Sequence, residues 1–315
     1  MGASIRGIHH ITAIASGPQP NLDFYTGFLG LRLVKKTVNF DDPGSYHLYY
    51  GDQAGAPGTI LTFFPWPGAR RGKQGTGQVT ATAFAVPQNS LDYWDQRANE
   101  RLVAATRESV RFGEEVLTFA DPDGMPLELI AAAVNPGIAI QGTTVESQHA
   151  IAGFHAAAIQ VKDVKATAGL LTGLMGFELT KRDSNRFRYE VANGGPGAAI
   201  DLIETPGAAR GLGGAGTVHH IAWRTPDDEQ QREWLRQLAA AGYQVSPIMD
   251  RQYFHSIYFR EPGGVLFEIA TDPPGFTLDE PLQELGEKLM LPPWMEPMRA
   301  RIEQALPPLK HLAGV

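Results

Sequence analysis

The chain carries one arrangement four times, and that repetition limits its fold more than any other feature. Each copy reads as a short strand, an amphipathic helix, then a strand meander ending in an apolar strand. The first runs from Gly7 to about Pro65 and the second from about Gly77 to Val134. The third spans about Gly153 to Glu204 and the fourth Val218 to Thr271. Helices are predicted over Asn21 to about Leu29, after Asn89, after Asp163, and from Asp227 to Ala241. Asn21, Asn89, Asp163 and Asp227 are the expected N-caps, because their side-chain oxygens can accept from free backbone amides. Gly30, Gly176 and Gly242 stand where helix C-termini favour glycine.

Two further matches are local. Asp121-Pro-Asp-Gly-Met-Pro-Leu-Glu128-Leu recurs as Glu261-Pro-Gly-Gly-Val-Leu-Phe-Glu268-Ile. The Pro and Gly make a tight turn, and the Glu lies on the strand that leaves it. A surface carboxylate on a hairpin accounts for Glu128 as well as any functional reading does. It accounts less well for Glu268, whose unit also carries a histidine doublet. Such doublets occur twice, as Ile8-His9-His10-Ile11 and Val218-His219-His220-Ile221, and hold four of the nine histidines. Side chains alternate along a strand, so one His of each doublet points inward.

A four-fold repeat with His on first strands and Glu on last strands resembles the vicinal oxygen chelate superfamily. The resemblance implies an α+β fold: four βαβββ units, pairing into two cup-shaped mixed-sheet modules, each a half-barrel around a possible divalent metal. With 315 residues, the chain divides in expectation into an N-terminal module (1–148), a C-terminal module (149–272) and a tail (273–315). The tail is Pro-rich, with a predicted helix from Met298 to Ala305 whose Trp294, Met298 and Ile302 are expected to pack on the body.

Composition narrows the chemistry. There is no cysteine, so disulfides, thiolate ligands and a cysteine nucleophile are excluded, and His, Asp and Glu remain as metal ligands. A net charge of -7 with interspersed signs argues against nucleic acid or an anionic membrane as partner. No run of 18 apolar residues suggests a membrane span. Met1-Gly2-Ala3-Ser4-Ile5-Arg6 runs straight into a strand, so no signal peptide is expected, and a cytoplasmic location is.

The ligands on offer differ by unit. Unit one has His10 but no carboxylate on its last strand; unit two has Glu128 and no His. Unit three has His155 and Asp201, and unit four has His220 and Glu268. Units three and four together would supply His155, His220 and Glu268, with Asp201 nearby. Units one and four would supply His10, His220 and Glu268. Either set is two histidines and a carboxylate, which leaves open positions on non-haem Fe(II). The matching doublets favour units one and four, related by a pseudo-twofold axis. His155 then reads as a buried His bonded to a backbone carbonyl. His9 and His219 turn to the opposite face, unless twist or a bulge brings one to the cavity edge.

The segment Ile257-Tyr258-Phe-Arg-Glu261-Pro262-Gly-Gly264 and Glu268 resembles the second half of the catechol-cleaving extradiol pattern. Arg251 stands where those enzymes carry His. In the doublets, Arg251, Tyr258, Glu268 and the segment from Leu291-Pro292-Pro293-Trp294, the whole chain is similar to the hydroquinone-type ring-cleaving dioxygenases. That resemblance implies Fe(II), with Mn(II) as an alternative, on His10, His220 and Glu268. It implies His9, His219, Arg251 and Tyr258 as residues of the substrate side. It also implies a small aromatic substrate and dioxygen as partners, and edge strands leave a homo-oligomer open. Arg251 could equally be a surface residue and Tyr258 a core aromatic. A glyoxalase- or epimerase-type lyase or isomerase would instead use His155, Asp201, His220 and Glu268. A metal-free binding protein of the same fold would need none of them.

Overall fold

The computed structural model describes residues 3–137, 140 and 143–310, and within them all four units fold. Unit one comprises β1 (Ile8–Ala15), α1 (Pro18–Leu22), β2 (Arg32–Asn39), β3 (Asp42–Gly51) and β4 (Ile60–Pro65). Unit two comprises β5 (Gln78–Pro87), α2 (Leu91–Glu100), β6 (Ala105–Arg107), β7 (Val116–Ala120) and β8 (Pro126–Ala132). Unit three comprises β9 (Gly153–Val161), α3 (Val164–Gly173), β10 (Glu178–Asp183), β11 (Arg186–Glu190) and β12 (Ala199–Glu204). Unit four comprises β13 (Thr217–Thr225), α4 (Asp228–Ala240), β14 (Met249–Asp250), β15 (Phe254–Arg260) and β16 (Leu266–Pro274).

Two of the expected caps hold and two do not. Asp163 accepts from the Lys165 amide at 2.8 Å, and Asp227 from the Gln230 amide at 2.9 Å. In unit one the helix starts earlier, at Pro18, whose fixed φ suits a first turn, and continues as a π-helical turn over Asp23–Phe28. Asn21 is therefore carried inside, where its Oδ1 accepts from the Tyr50 hydroxyl at 2.9 Å. In unit two the chain turns once more before the helix, with the Ser90 amide donating to Pro87, so Ser90 and not Asn89 precedes α2. The glycines behave as expected, with left-handed φ values of 67°, 77° and 88° at Gly30, Gly176 and Gly242.

The strands form two eight-stranded mixed sheets, in the orders β14-β15-β16-β13-β1-β4-β3-β2 and β10-β11-β12-β9-β5-β8-β7-β6. The first joins units one and four through antiparallel β1 and β13, with Ile11 opposite Ile221. The second joins units two and three through antiparallel β5 and β9. Each sheet thus takes strands from both sides of residue 148, so the sheets do not follow the expected 1–148 and 149–272 division. The reason lies in burial. All eight residues of β1 are buried, which only a central strand covered on both faces achieves, and β13 is the partner that makes it central.

The two sheets touch by an approximate exchange. The Ile8 amide donates to Gly197 O and the Phe154 amide to Gly58 O, both at 2.8 Å. Gly7, at φ +114°, sits here because a Cβ would lie 2.5 Å from Gly197 O. The loop amides of Gly58 and Gly197 in turn donate to His9 O and His155 O. His155 is therefore the counterpart of His9, and Ala156 stands where the first sheet has His10.

After β16 the tail packs back on unit one. Lys35 of β2, fully buried, donates to both Asp279 and Glu280, and its ammonium lies 5.0 Å from the Tyr253 ring. Phe276 joins Tyr49, Tyr253 and Phe254 in a small core behind the sheet. The last helix, α5 (Arg299–Ala305), is a residue shorter than expected. Its stripe is only partly buried: Ile302 is inside, whereas Trp294 and Met298 are 49% and 42% exposed. The 3₁₀ turn at Glu296–Met298 breaks the helical spacing that would have aligned them.

Candidate metal centre

Pairing β1 with β13 brings both doublets to the middle of one sheet, and β16 lies alongside β13 with Glu268 opposite Ala222. His10 Nε2 and His220 Nε2 are 3.3 Å apart, and Glu268 Oε2 lies 3.4 Å from the first and 2.9 Å from the second. All three residues are buried, Glu268 completely. The other Glu268 oxygen accepts from the Ser256 hydroxyl, while Oε2 has no properly angled hydrogen bond among the described residues. A buried, unsatisfied carboxylate oxygen facing two imidazole nitrogens is costly unless a cation completes it.

The hydrogen bonding behind His10 sets its tautomer. Thr271 O can only accept, so His9 Nε2, 3.1 Å away, carries the proton. His9 Nδ1 is then the acceptor for His10 Nδ1–H at 2.9 Å, which leaves His10 Nε2 as a bare lone pair aimed at the centre. His220 is met in the same way by His219 Nδ1 at 2.8 Å. These donors fit a divalent cation. Among the described residues, His10, His220 and Glu268 are the group of three acid or imidazole side chains whose ligand atoms converge.

The two spare histidines part company. His219 lines a cavity of about 320 Å³ that opens onto His10 and His220, and its Nε2 has no partner among the described residues. His9 is 1% exposed and lies behind His10, its ring edge against Phe254, so it is not on the substrate side as expected. The β1–β13 pairing skips His9 and His219 alike, so the difference lies in what covers them: Thr271 O and the Phe254 ring enclose His9.

Arg251 and Tyr258 also reach the cavity. Arg251 Nε donates to the Tyr258 hydroxyl at 3.1 Å, and its Nη1 donates to Asp41 at 3.2 Å. The hydroxyl acts there as an acceptor and keeps its own proton to donate. Burial would lower the Arg251 pKa, but Tyr258 and Asp41 raise it, so the guanidinium stays charged. Burial raises the Tyr258 phenol, Glu268 adds to that, and the phenol stays neutral at ordinary pH. The Tyr258 ring meets His220 edge-on at 5.8 Å.

Four wall residues carry no motif and escape sequence reading. His47 bonds Thr62 Oγ1 and the Tyr49 hydroxyl, both at 2.8 Å, and packs on Phe64. Burial, with His10 and His220 nearby, pushes its pKa well down. Phe64, Trp66 and Asn39 complete that side. The only signal for His47 is its place on β3 of the unit that supplies His10.

The second sheet is closed to this chemistry. Asp201 is held by Arg188 and Arg186, Glu128 accepts from Arg111 at 2.8 Å, and Arg188 also binds Glu114. Glu128 is thus a buried ion-pair partner and not a surface residue. His155 faces Glu114 at 3.5 Å in place of the expected carbonyl. His155 and Asp201 lie in a different sheet from His220 and Glu268, so the isomerase set is not assembled.

The pattern of the Glyoxalase/Bleomycin resistance protein/Dioxygenase superfamily matches residues 7–129 and 153–269. The chain is 50% identical over 310 residues to the "Putative ring-cleaving dioxygenase MhqO" of Bacillus subtilis, covering 98% of each chain. It is 34% identical over 301 residues to a "Chlorohydroquinone/hydroquinone 1,2-dioxygenase" of Sphingobium indicum, covering 93% of each. A crystal structure described as a "putative dioxygenase" from Bacillus subtilis superposes with a TM-score of 0.94 at 50% identity, covering 98% of this chain and 99% of that one.

Proposed function

Because the chain belongs to the glyoxalase/bleomycin resistance protein/dioxygenase superfamily, we propose that its His10–His220–Glu268 centre serves Fe(II)-dependent, extradiol-type ring cleavage of hydroquinones. The observation that carries the reading is the unsatisfied Glu268 Oε2 between two imidazole lone pairs, whose histidines line an aromatic-walled cavity. Relatives described as ring-cleaving and hydroquinone dioxygenases, matched nearly end to end, support it.

In this reading His10, His220 and Glu268 hold the metal on one face. Fe(II), when bound, supplies a redox-active Lewis acid with open positions toward the cavity, and Mn(II) suits the same donors. Phe64, Trp66 and Phe254 give the cavity apolar walls that exclude water and suit an aromatic ring. Tyr258, oriented by Arg251, donates to the oxygen on the carbon next to the cleaved bond. The Arg251 charge favours that oxygen as an anion. His219, whose Nδ1 accepts from His220 and whose Nε2 therefore carries its proton at the cavity wall, donates to a substrate oxygen there. His9 positions His10 and does not touch substrate. Arg251, standing where catechol-cleaving relatives in the wider superfamily carry His, favours a substrate with one oxygen beside the cleaved bond.

The test is oxygen uptake by protein loaded anaerobically with Fe(II), given hydroquinone, methylhydroquinone and catechol side by side. Stoichiometric uptake with the two hydroquinones, exceeding that with catechol, is expected. Turnover of another substrate with Ni(II) or Zn(II) and no oxygen consumed would overturn the reading.

A further inference from the structure

Asn39 is the last residue of β2, at the hairpin that overhangs the cavity, and it is 9% exposed. Its Oδ1 accepts from the Asp41 backbone amide at 3.0 Å. An amide N–H only donates, so this bond fixes which end of the carboxamide is oxygen. The Nδ2 group is left as a two-proton donor with no partner among the described residues, on a side chain that lines the cavity with His10, His220 and Tyr258. The side chain cannot turn away cheaply. Turning it would strip the Asp41 amide, and Asp41 itself holds Arg251 at 3.2 Å. An oriented, nearly buried donor facing a cavity asks for an acceptor from the ligand.

Resting on the proposed ring-cleaving function, we infer that Asn39 is a specificity-determining residue that recognises the second, para oxygen of the substrate. One oxygen of a para-oxygenated ring is held at the metal and Tyr258 end, so its other oxygen points to the opposite wall. Of the residues lining the cavity, Phe40 and Phe64 offer no donor and Trp66 offers a buried indole N–H with no partner among the described residues, while Asn39 offers an amide donor already locked in place by the Asp41 amide. A site built around such a donor discriminates against rings lacking the matching acceptor, because the donor is then left unpaired. Arg251 selects the oxygen at the cleaved bond and Asn39 the one across the ring.

Two near-isosteric probes isolate this contact: 4-methoxyphenol, whose para substituent accepts, and 4-ethylphenol, whose substituent does not. Their dissociation constants, and that of hydroquinone, are measured anaerobically by calorimetry on the metal-loaded protein. The wild type is expected to prefer 4-methoxyphenol by about tenfold. Asn39→Asp keeps the acceptor for the Asp41 amide, replaces the donor with a charge, and is expected to invert the preference. Asn39→Ala brings the ratio to about one with 4-ethylphenol affinity retained. An unchanged ratio in both variants, with wild-type binding of hydroquinone intact, overturns the role of Asn39 alone. Wild-type protein that binds none of the three rings overturns the functional reading, and this inference with it.

Discussion

His10 Nε2 lies 3.3 Å from His220 Nε2, although 210 residues separate them in the chain. The contact exists because β1 and β13 pair directly, placing the first strands of units one and four side by side. Glu268 on β16, parallel to β13, closes the third corner. A single strand pairing therefore decides where a cation can sit.

Metal content is the first readout. Wild-type protein should bind about one Fe(II) per chain, and His10→Ala, His220→Ala and Glu268→Ala should each bind almost none under metal analysis after desalting. His155→Ala should keep its iron, because His155 lies in the other sheet against Glu114. Loss of iron from His155→Ala with retention in His10→Ala would reverse the assignment.

The doublets should behave unequally. His219→Ala is expected to lower kcat by about 10²-fold or more even in protein saturated with iron. His9→Ala, which removes the bond that sets the His10 tautomer, is expected to weaken iron affinity about 10- to 100-fold in chelator competition. Equal behaviour of the two variants in both assays would contradict the asymmetry at Thr271.

Arg251→Leu should keep its iron and lose about 10²-fold in kcat/KM, since a charge beside the reacting oxygen is removed. Asp41→Asn, which only loosens Arg251 from an exposed carboxylate, should cost less than about tenfold. Steady-state oxygen consumption separates the two. Unchanged kinetics for Arg251→Leu would return that residue to a surface role.

Acid should weaken the second sheet through Glu114. Burial would raise its carboxyl, but His155 and Arg188 lower it from 4.5 to about 2. A depressed carboxyl contributes stability that is full above about 4.5 and is lost as pH falls toward about 2. Glu114→Gln should therefore be less stable than wild type at pH 7, with the gap in urea unfolding narrowing at about pH 3. A gap that holds constant would sink the assignment.

The tail clasp is tested at Lys35. Lys35→Met leaves Asp279 and Glu280 facing each other without their cation, and should cost about 3–5 kcal/mol in chemical unfolding. Adding Asp279→Asn and Glu280→Gln to that variant should recover much of the loss. No recovery would mean that the ion pairs are incidental to the docking of the tail.

Much of this was local enough to read in the chain. Strand, helix and turn of each unit follow from alternation, from caps such as Asp163 and Asp227, and from glycines such as Gly242 that tolerate left-handed φ. The doublets and the Glu261–Glu268 segment marked the strands that could bear ligands, because a repeated pattern displays its exceptions. Where Asn21 and Asn89 failed as caps, a proline and an extra turn nearby redirected the backbone, and the burial of Asn21 against Tyr50 is a long-range outcome.

The sequence by itself determined four units, the ligand types and the two strands that open with paired histidines. Only the tertiary structure decided that units one and four share a sheet across residue 148, since side-chain burial on both faces of β1 selects its partner. Only it separated His9, locked to Thr271 O, from His219, open to the cavity, because the groups that cover each histidine come from segments distant in the chain. And only it placed His47 and Asn39 in the wall, where curvature of the sheet, and no local motif, brings them to the cavity shared with His10 and His220.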